Sequence, residues 1–342
     1  MEERGSGVER PSPRGTVLLP AAPQSWFYAG DLAELSRGPT SLTIDDRRLV
    51  VFRGHSGRVA ALDGRCIHMG ADLSKGCVDG ERLRCPLHDW SFNGDGRCVA
   101  IPALPQVPEF ARTTAFPTAV TGPHAFVYNG QRPDFAMPFF DGVTPADLRP
   151  ARPFGFDVDT DWWMIAANGF DLQHFRTAHD RMLVGEPVVS TPSPFARRIV
   201  AHFEVTGAGL RDRLTRHVSG RRVTMSVTSW CGTIVLVEAV FRRTTSYGMV
   251  CVTPLGPGRS RVQVIVWVRR SRGPAGRLLF DPIDAAVRRS FIRAFVLDDR
   301  ERSAGIRYDP AAMIAADATL VDYFDWLSAT IGRRPNPNGG QG

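Results

Sequence analysis

The sequence lacks several features that would place the chain in other classes of protein. No apolar run reaches the roughly 18–20 residues that a membrane-spanning helix requires, and the best candidate, residues 233–241, carries Glu238. The first residues, MEERGSGVERPSPRG, have acids and prolines where a secretory signal would have an apolar core. We therefore expect a cytoplasmic protein with no membrane span.

Lysine is almost missing. Lys75 is the only lysine among 42 basic residues, and the arginines are spread along the chain rather than clustered. Non-specific nucleic-acid binders usually show a concentrated basic stripe with interleaved aromatic residues. The net charge of +7 therefore does not predict a nucleic-acid partner, and a positive surface that attracts an acidic protein partner fits it better.

A disulfide framework is not expected either, because six cysteines in a 342-residue intracellular chain do not form the dense pattern of small secreted domains. Apolar residues make up 43% of the chain and charged residues 23%, which is the balance of a folded globular protein. The length is sufficient for two domains that each bury a core.

Four segments can be distinguished along the chain. Residues 1–23, rich in Gly, Pro, Arg and Glu, are expected to form a mobile leader. Short β runs separated by Gly and Asp predict a small β domain over residues 24–133, and the proline-rich stretch 134–153 predicts a linker. Residues 154–335 combine alternating strands over 199–270 with helical periodicity over 282–306 and 311–331. The expected fold class is α+β.

Two short Cys/His pairs lie in the predicted β domain. Cys66-Ile-His68 and Cys85-Pro-Leu-His88 each fit on one tight loop. Two thiolates and two imidazoles suit either a structural zinc site or an iron–sulfur cluster. Zinc sites usually begin with two cysteines on one loop, whereas each loop here supplies one cysteine and one histidine. That division suits a [2Fe–2S] cluster with two Cys on one iron and two His on the other.

A second group of metal-binding residue types follows the predicted linker. The motif of Asn168, Asp171, His174 and His179 places a carboxylate and two imidazoles on one predicted helix. Histidines five residues apart point about 140° away from each other, so the helix must end, bulge or unwind between them if both bind one metal. The alternative is two unrelated surface histidines.

Two histidines and one carboxylate form the facial triad of non-haem Fe(II) oxygenases. The carboxylate would come from a helix farther along the chain, where FIRAFVLDDRERSAGI offers Asp298 and Asp299. Helical spacing does not choose between these two aspartates.

Together these motifs resemble those of the Rieske non-haem iron oxygenases. CIHMGADLSKG and CPLHDWSFNGDG are similar to the two cluster-binding loops of Rieske proteins, and NxxDxxHxxxxH is similar to the catalytic-domain motif of the family. The resemblance covers roughly residues 25–130 and 154–331. It implies an N-terminal Rieske antiparallel β domain and a C-terminal helix-grip (START-like) antiparallel sheet with covering helices.

The resemblance also implies which residues bind each cofactor. A [2Fe–2S] cluster would be held by Cys66, His68, Cys85 and His88. A mononuclear Fe(II) would be held by His174, His179 and Asp299, since the third ligand in related terminal oxygenases tends to follow another acidic residue. Asp298 would then be a solvated carboxylate or one that holds a ligand histidine.

Two further residues take roles from the resemblance. Asp171 would carry electron flow between the two metal centres by hydrogen bonds to His174 and to His88 of the partner subunit, within a head-to-tail homotrimer. Asn168 would line the active-site pocket or cap the helix.

The implied activity is that of a single-polypeptide, monooxygenase-like terminal oxygenase component with O₂ as co-substrate. The chain has no convincing Gly-rich dinucleotide fingerprint, so an NAD(P)H-dependent reductase, with or without a ferredoxin, would supply the electrons. The expected reaction is hydroxylation, demethylation, desaturation or N-oxygenation of an apolar or aromatic small molecule. The alternatives are a ring-hydroxylating dioxygenase α subunit and a non-enzymatic Rieske electron carrier or zinc-stabilised interaction protein.

Overall fold

The structure is a computed structural model that describes residues 19–332. The predicted leader over residues 1–23 therefore lies outside the described residues except for 19–23. The described chain forms two compact units, one of residues 21–138 with 253–257, and one of residues 139–252 with 258–332 and 19–20. The segment boundaries at 24–133, 134–153 and 154–335 stay predictions. Among the described helices, none is long and apolar enough to cross a membrane.

The first unit is built from small antiparallel sheets. Its elements are β1 (Trp26–Asp31), α1 (Leu32–Leu35), β2 (Thr40–Ile44), β3 (Arg47–Arg53), β4 (Val59–Asp63), β5 (Cys77–Asp79), β6 (Arg82–Arg84), β7 (Ser91–Asn93), β8 (Cys98–Ala100), β9 (Ala115–Phe116), β10 (Thr118–Thr121) and β11 (His124–Tyr128). The strand orders of its sheets are β1-β11-β10, β2-β3-β4-β9 and β5-β6-β7-β8.

The core beneath the two Cys/His loops places the cysteines inside the first unit. Cys66 and Cys85 are buried among apolar side chains that include Phe52, Leu83 and Phe92. Because each loop leaves the core at its cysteine, the histidines that follow reach the surface of the unit.

The second unit contains a nine-stranded antiparallel sheet. The elements of this unit are β12 (Leu148–Pro150), β13 (Phe154–Val158), α2 (Trp162–Ala167), α3 (Leu172–His179), β14 (Arg181–Leu183), β15 (Val188–Ser193), β16 (Ala196–Val205), α4 (Leu210–Val218), β17 (Arg222–Trp230), β18 (Ile234–Phe241), β19 (Thr245–Gly256), β20 (Arg259–Arg269), α5 (Asp281–Ser303) and α6 (Ala318–Gly332). The strand order of the sheet is β12-β20-β19-β18-β17-β16-β14, and β13 also pairs with β20 and β15 with β16. The α+β fold class and the predicted antiparallel sheets are confirmed.

The two long predicted helices differ from the expectation mainly at their ends. α5 begins at Asp281, whose buried carboxylate accepts hydrogen bonds from the N–H and hydroxyl of Ser271, and Pro282 lies in its first turn. α6 begins at Ala318 rather than at residue 311, because the intervening residues form two short 3₁₀ turns, Pro310–Ala312 and Ala315–Asp317.

Alternation along the central strands gives the sheet an apolar face. Val227 lies opposite Val237 in the pairing of β17 with β18, and Val237 lies opposite Gly248 in the pairing of β18 with β19. Side chains two residues apart point to the same face of a sheet. This row therefore continues along each strand and forms one wall of the cavity described below.

Candidate metal centres

The two Cys/His loops of the first unit have matching backbone turns. In each loop the N–H four residues after the cysteine donates to the cysteine carbonyl, from Gly70 to Cys66 at 2.8 Å and from Asp89 to Cys85 at 3.2 Å. The cysteine N–H in turn donates to the carbonyl five residues on in both loops. Gly70 and Asp89 both adopt the left-handed backbone conformation, with φ of 73° and 57°. The sequence thus builds the same turn twice, with the histidine two residues after one cysteine and three after the other.

The four predicted cluster residues divide into a buried pair and an exposed pair. Cys66 and Cys85 are buried free thiols, whereas His68 and His88 are exposed and their Nδ1 atoms lie 3.1 Å apart. The His68 ring stacks on the buried Trp90, with 4.7 Å between ring centroids and an interplanar angle of 6°. This stacking holds the imidazole in one orientation.

The electrostatics of the cysteines fit the same arrangement. Burial raises the pKa of the Cys66 thiol to about 11, and the adjacent Cys85 sulfur adds to the shift, whereas backbone N–H groups of His68 and Met69 act against it. A bound metal displaces such a thiol proton. Two buried sulfurs and two exposed ring nitrogens form a donor set that fits a [2Fe–2S] cluster with mixed Cys and His ligands.

The segment predicted to be one helix from Asn168 is divided in the structure. A 3₁₀ turn, Asn168–Phe170, is followed by the extended Asp171, and α3 begins only at Leu172. The Asp171 carboxylate accepts a hydrogen bond from the His174 N–H at 3.1 Å, so Asp171 is the N-cap of α3. The expectation that Asp171 lies on the helix is wrong, because a short carboxylate satisfies the free N–H groups at a helix start from just outside it.

His174 and His179 converge although they are five residues apart. Their Nε2 atoms lie 3.1 Å apart, and their rings are inclined at 87°. α3 remains helical up to His179 and ends there, and Asp180 turns the chain with φ of 52°. The expectation that the helix breaks between the two histidines is therefore wrong, because α3 ends only after His179. The two side chains are long enough for their Nε2 atoms to meet although their Cα atoms point in different directions.

Asp299 of α5 completes this group. Its Oδ1 atom lies 3.0 Å from His174 Nε2 and 2.9 Å from His179 Nε2, whereas the neighbouring Asp298 is exposed. Burial acts to raise the pKa of the Asp299 carboxyl, but contacts with the two imidazoles and their positive charge outweigh it and lower the pKa.

The arrangement of the three groups fits a metal ion. The buried Asp299 Oδ1 lies within contact distance of both rings, yet it is not aligned for a hydrogen bond with either. Three atoms with lone pairs therefore converge on one point, and the carboxylate oxygen among them has no hydrogen-bond partner. Two imidazoles and one carboxylate in this arrangement are the donor set of a facial triad for Fe(II).

The sequence did not point to Arg181, which connects the elements around His179 and Asp299. Its Nη1 atom donates to the His179 carbonyl at 2.7 Å and to Asp212 at 2.7 Å. The guanidinium lies over the Phe295 ring at 5.3 Å, and that ring packs on His179 with 4.8 Å between centroids. Arg181 thereby links α3, α4 and α5. No local motif marks it, because Asp212 and Phe295 lie far away in the sequence.

A cavity of about 280 Å³ is lined by these groups. Its walls are mostly apolar and come from the sheet and from α5, for example from Val237, Phe291 and Phe295. Asn168 also lines it, with Nδ2 3.3 Å from His174 Nε2.

Comparison with known proteins agrees with this geometry. Residues 25–111 match the family model described as the Rieske [2Fe-2S] domain. A crystal structure of dicamba monooxygenase bound to dicamba is 20% identical with a TM-score of 0.72, covering 93% of this chain and 100% of that chain. Pseudomonas putida CBB5 NdmA with caffeine is 20% identical with a TM-score of 0.68, covering 88% and 89%. These two similarities establish the fold.

Curated relatives are similar over part of the chain. A 3-ketosteroid-9-alpha-monooxygenase oxygenase component of Mycolicibacterium smegmatis is 39% identical over 121 residues, which are 34% of this chain and 32% of that protein. The aminopyrrolnitrin oxygenase PrnD of Pseudomonas fluorescens is 32% identical over 165 residues, which are 45% of each protein. Cholesterol 7-desaturase nvd 1 of Ciona intestinalis is also similar, at 32% identity over 177 residues, 50% of this chain and 38% of that protein. The matches span less than half the length of each of these relatives. The chain thus contains a Rieske [2Fe-2S] domain and is similar to oxygenase components.

The structure brings most predicted site residues into two groups. Cys66 and Cys85 lie together in the core of the first unit, beneath the paired rings of His68 and His88. In the second unit His174, His179 and Asp299 meet, with the predicted residues Asp171 and Asn168 beside His174. Asp298 does not join them.

Proposed function

We propose that this chain is a terminal oxygenase component that uses O₂ to oxidise an uncharged, apolar small molecule in a monooxygenase-type reaction. The observation that carries this proposal is the convergence of His174, His179 and Asp299 at an apolar cavity, in a chain that also has a Rieske domain. Two of the similar proteins are named for a ketosteroid and for cholesterol, so neutral steroids are the first substrates to test.

The chain supplies separate positions for the two cofactors. Cys66, His68, Cys85 and His88 would hold the [2Fe–2S] cluster, and His174, His179 and Asp299 the Fe(II). When bound, these groups supply the electrons and the site at which O₂ is activated. The apolar walls exclude water and orient the substrate. Asn168 Nδ2, beside His174, is placed to donate a hydrogen bond to a polar atom at the end of the cavity.

The charges of the cavity favour a neutral substrate. Arg181 is ion-paired with Asp212. Arg300 donates to the Asp157 carbonyl at 3.2 Å, and its guanidinium lies over the Phe156 ring. The charge of Arg181 is therefore already paired and not available to a carboxylate substrate, and Arg300 is exposed to water. A buried anion without a partner would bind poorly here.

Electron delivery is proposed to come from an NAD(P)H-dependent reductase, with or without a ferredoxin, in the cytoplasm. We propose a homotrimer in which Asp171 connects His174 with His88 of the partner subunit. Two features support this arrangement. One Asp171 carboxylate oxygen accepts a hydrogen bond from the backbone N–H of His174, which places this carboxylate next to a proposed iron ligand. The exposed apolar residues Ile67, Met69 and Leu87 in the cluster loops suit a protein contact.

The experiment that tests the function is reductase-dependent turnover. The chain loaded with both iron centres, together with a surrogate reductase, should convert a neutral steroid in the presence of O₂. The variant His179→Ala should lose product while keeping the visible absorption of the cluster. The matched control His217→Ala, an exposed histidine of α4, should keep wild-type turnover. Product formation by His179→Ala at the wild-type rate, or in the absence of O₂, would contradict the proposal.

A further inference from the structure

A group of large apolar side chains is exposed around the start of α5. Three belong to a π-helical turn, Gly276–Phe280, and two to the first turns of the helix. All are between 58% and 75% exposed. We call this group the α5 patch, and its members are Leu278, Leu279, Phe280, Ile283 and Val287. A soluble protein seldom leaves so many adjacent large apolar side chains in water without a partner.

The α5 patch is continuous with the cavity. Ile283, Val287, Phe291 and Phe295 follow one another at intervals of four residues, so they lie along one face of α5. The first two are exposed, and the last two line the cavity beside the proposed iron site. One face of a single helix therefore leads from the surface to the cavity.

Arginines accompany the α5 patch along the chain. Arg277 belongs to the same π-helical turn as three of its members, Arg272 lies just before that turn, and both are exposed. The two carboxylates of the first helical turn already have partners, since Asp281 is buried against Ser271 and Asp284 pairs with Arg288 at 2.7 Å. The segment that carries the patch therefore presents Arg272 and Arg277 to water next to its apolar side chains.

We propose that the α5 patch docks on the surface of an anionic lipid bilayer, so that an apolar substrate passes from the lipid along α5 into the cavity. Apolar side chains bordered by cations are the composition of elements that lie in the membrane interface, and anionic headgroups attract arginine at short range. The route into the cavity rests on the proposed function, whereas docking itself requires no turnover.

The test is co-sedimentation of the holoprotein with vesicles of equimolar phosphatidylcholine and phosphatidylglycerol, and with vesicles of phosphatidylcholine alone. Wild-type protein should sediment with the anionic vesicles, and salt should weaken this binding. The double variant Ile283→Ser/Val287→Ser should bind at least about tenfold more weakly. The double variant Arg272→Gln/Arg277→Gln should lose affinity for the anionic vesicles as well.

The matched control is Leu210→Ser/Leu214→Ser on α4, since these leucines are 82% and 57% exposed but do not line the cavity. This control should sediment like the wild type. Absence of vesicle binding by the wild type, or equal binding by the Ile283→Ser/Val287→Ser variant, would overturn the proposal. A smaller assembly of that variant in light scattering, without vesicle binding by the wild type, would assign the patch to contacts between copies instead. Vesicle binding without turnover would contradict only the proposed function, and turnover without vesicle binding only this inference.

Discussion

Substitution of Arg181 gives a quantitative test of how the proposed iron site is held in place. The side chain donates to the His179 carbonyl and to Asp212, each at 2.7 Å, and the two side chains of the ion pair are only 6% and 14% exposed. Arg181→Met keeps much of the side-chain volume and removes both hydrogen bonds. The carboxylate of Asp212 then remains largely buried without a countercharge.

The cost follows from the burial of this pair. Removing one partner of a buried ion pair costs about 3–5 kcal/mol, because the other charge stays desolvated and uncompensated. We expect about 3 kcal/mol for Arg181→Met, at the lower end because Asp212 keeps some contact with water. The double variant Arg181→Met/Asp212→Asn should recover part of this loss, since no charge is then left unpaired.

An ion pair at the surface with the same nitrogen–oxygen distance serves as the control. Arg261 and Asp157 also meet at 2.7 Å, but their side chains are 50% and 29% exposed. Arg261→Met should therefore cost less than about 1 kcal/mol. Both variants can be compared by urea unfolding followed by tryptophan fluorescence.

A second readout separates positioning of the iron site from general stability. Co²⁺ binding at His174, His179 and Asp299, measured by its visible absorption in the folded protein, should be about tenfold weaker in Arg181→Met than in Arg261→Met. Equal unfolding midpoints and equal Co²⁺ affinities of the two variants would show that Arg181 does not hold His174, His179 and Asp299 in place.

Three further predictions concern the route of electrons, the size of the cavity and a buried carboxyl. Asp171→Asn keeps an equally good N-cap for α3, so both iron centres should stay loaded while product formation collapses; full turnover would remove Asp171 from the electron path. At Gly248 an added Cβ would meet only Val237, at 3.9 Å, so the larger side chain of Gly248→Val should narrow the cavity. KM for a large neutral substrate should rise roughly tenfold without a change in the unfolding midpoint, and an unchanged KM would show that the substrate does not reach this wall. Burial and the negative charge of Asp141 raise the pKa of the Glu238 carboxyl despite Arg198, so its charged form destabilises the fold at higher pH. Glu238→Gln should therefore raise the unfolding midpoint near neutral pH, and this gain should vanish below the ordinary pKa of 4.5. A gain that persists in acid would point to another cause.

The parts of both sites that the sequence predicts are those with local spacing. Each cluster loop closes through hydrogen bonds within six residues, so Cys66 and His68 can be recognised from their own neighbourhood. The same holds for His174 and His179, which share one short helix. The α+β class follows in the same way from the period of the apolar residues in strands and helices.

Features set by tertiary packing could not be predicted in this way. Asp298 and Asp299 have equivalent spacing, and only tertiary contacts, such as that of Phe295 with His179, show which face of α5 turns toward α3. Arg181 is fixed by Asp212, 31 residues away. The N-cap role of Asp171 was missed for another reason, because apolar periodicity does not locate the first residue of a helix.

Metal analysis of the purified, anaerobically reconstituted protein shows whether one chain holds two different iron centres. We expect about three irons and two acid-labile sulfides per chain, and about two irons with unchanged sulfide for His179→Ala. A single zinc without sulfide, or an iron content that His179→Ala leaves unchanged, would show that the chain does not hold both centres.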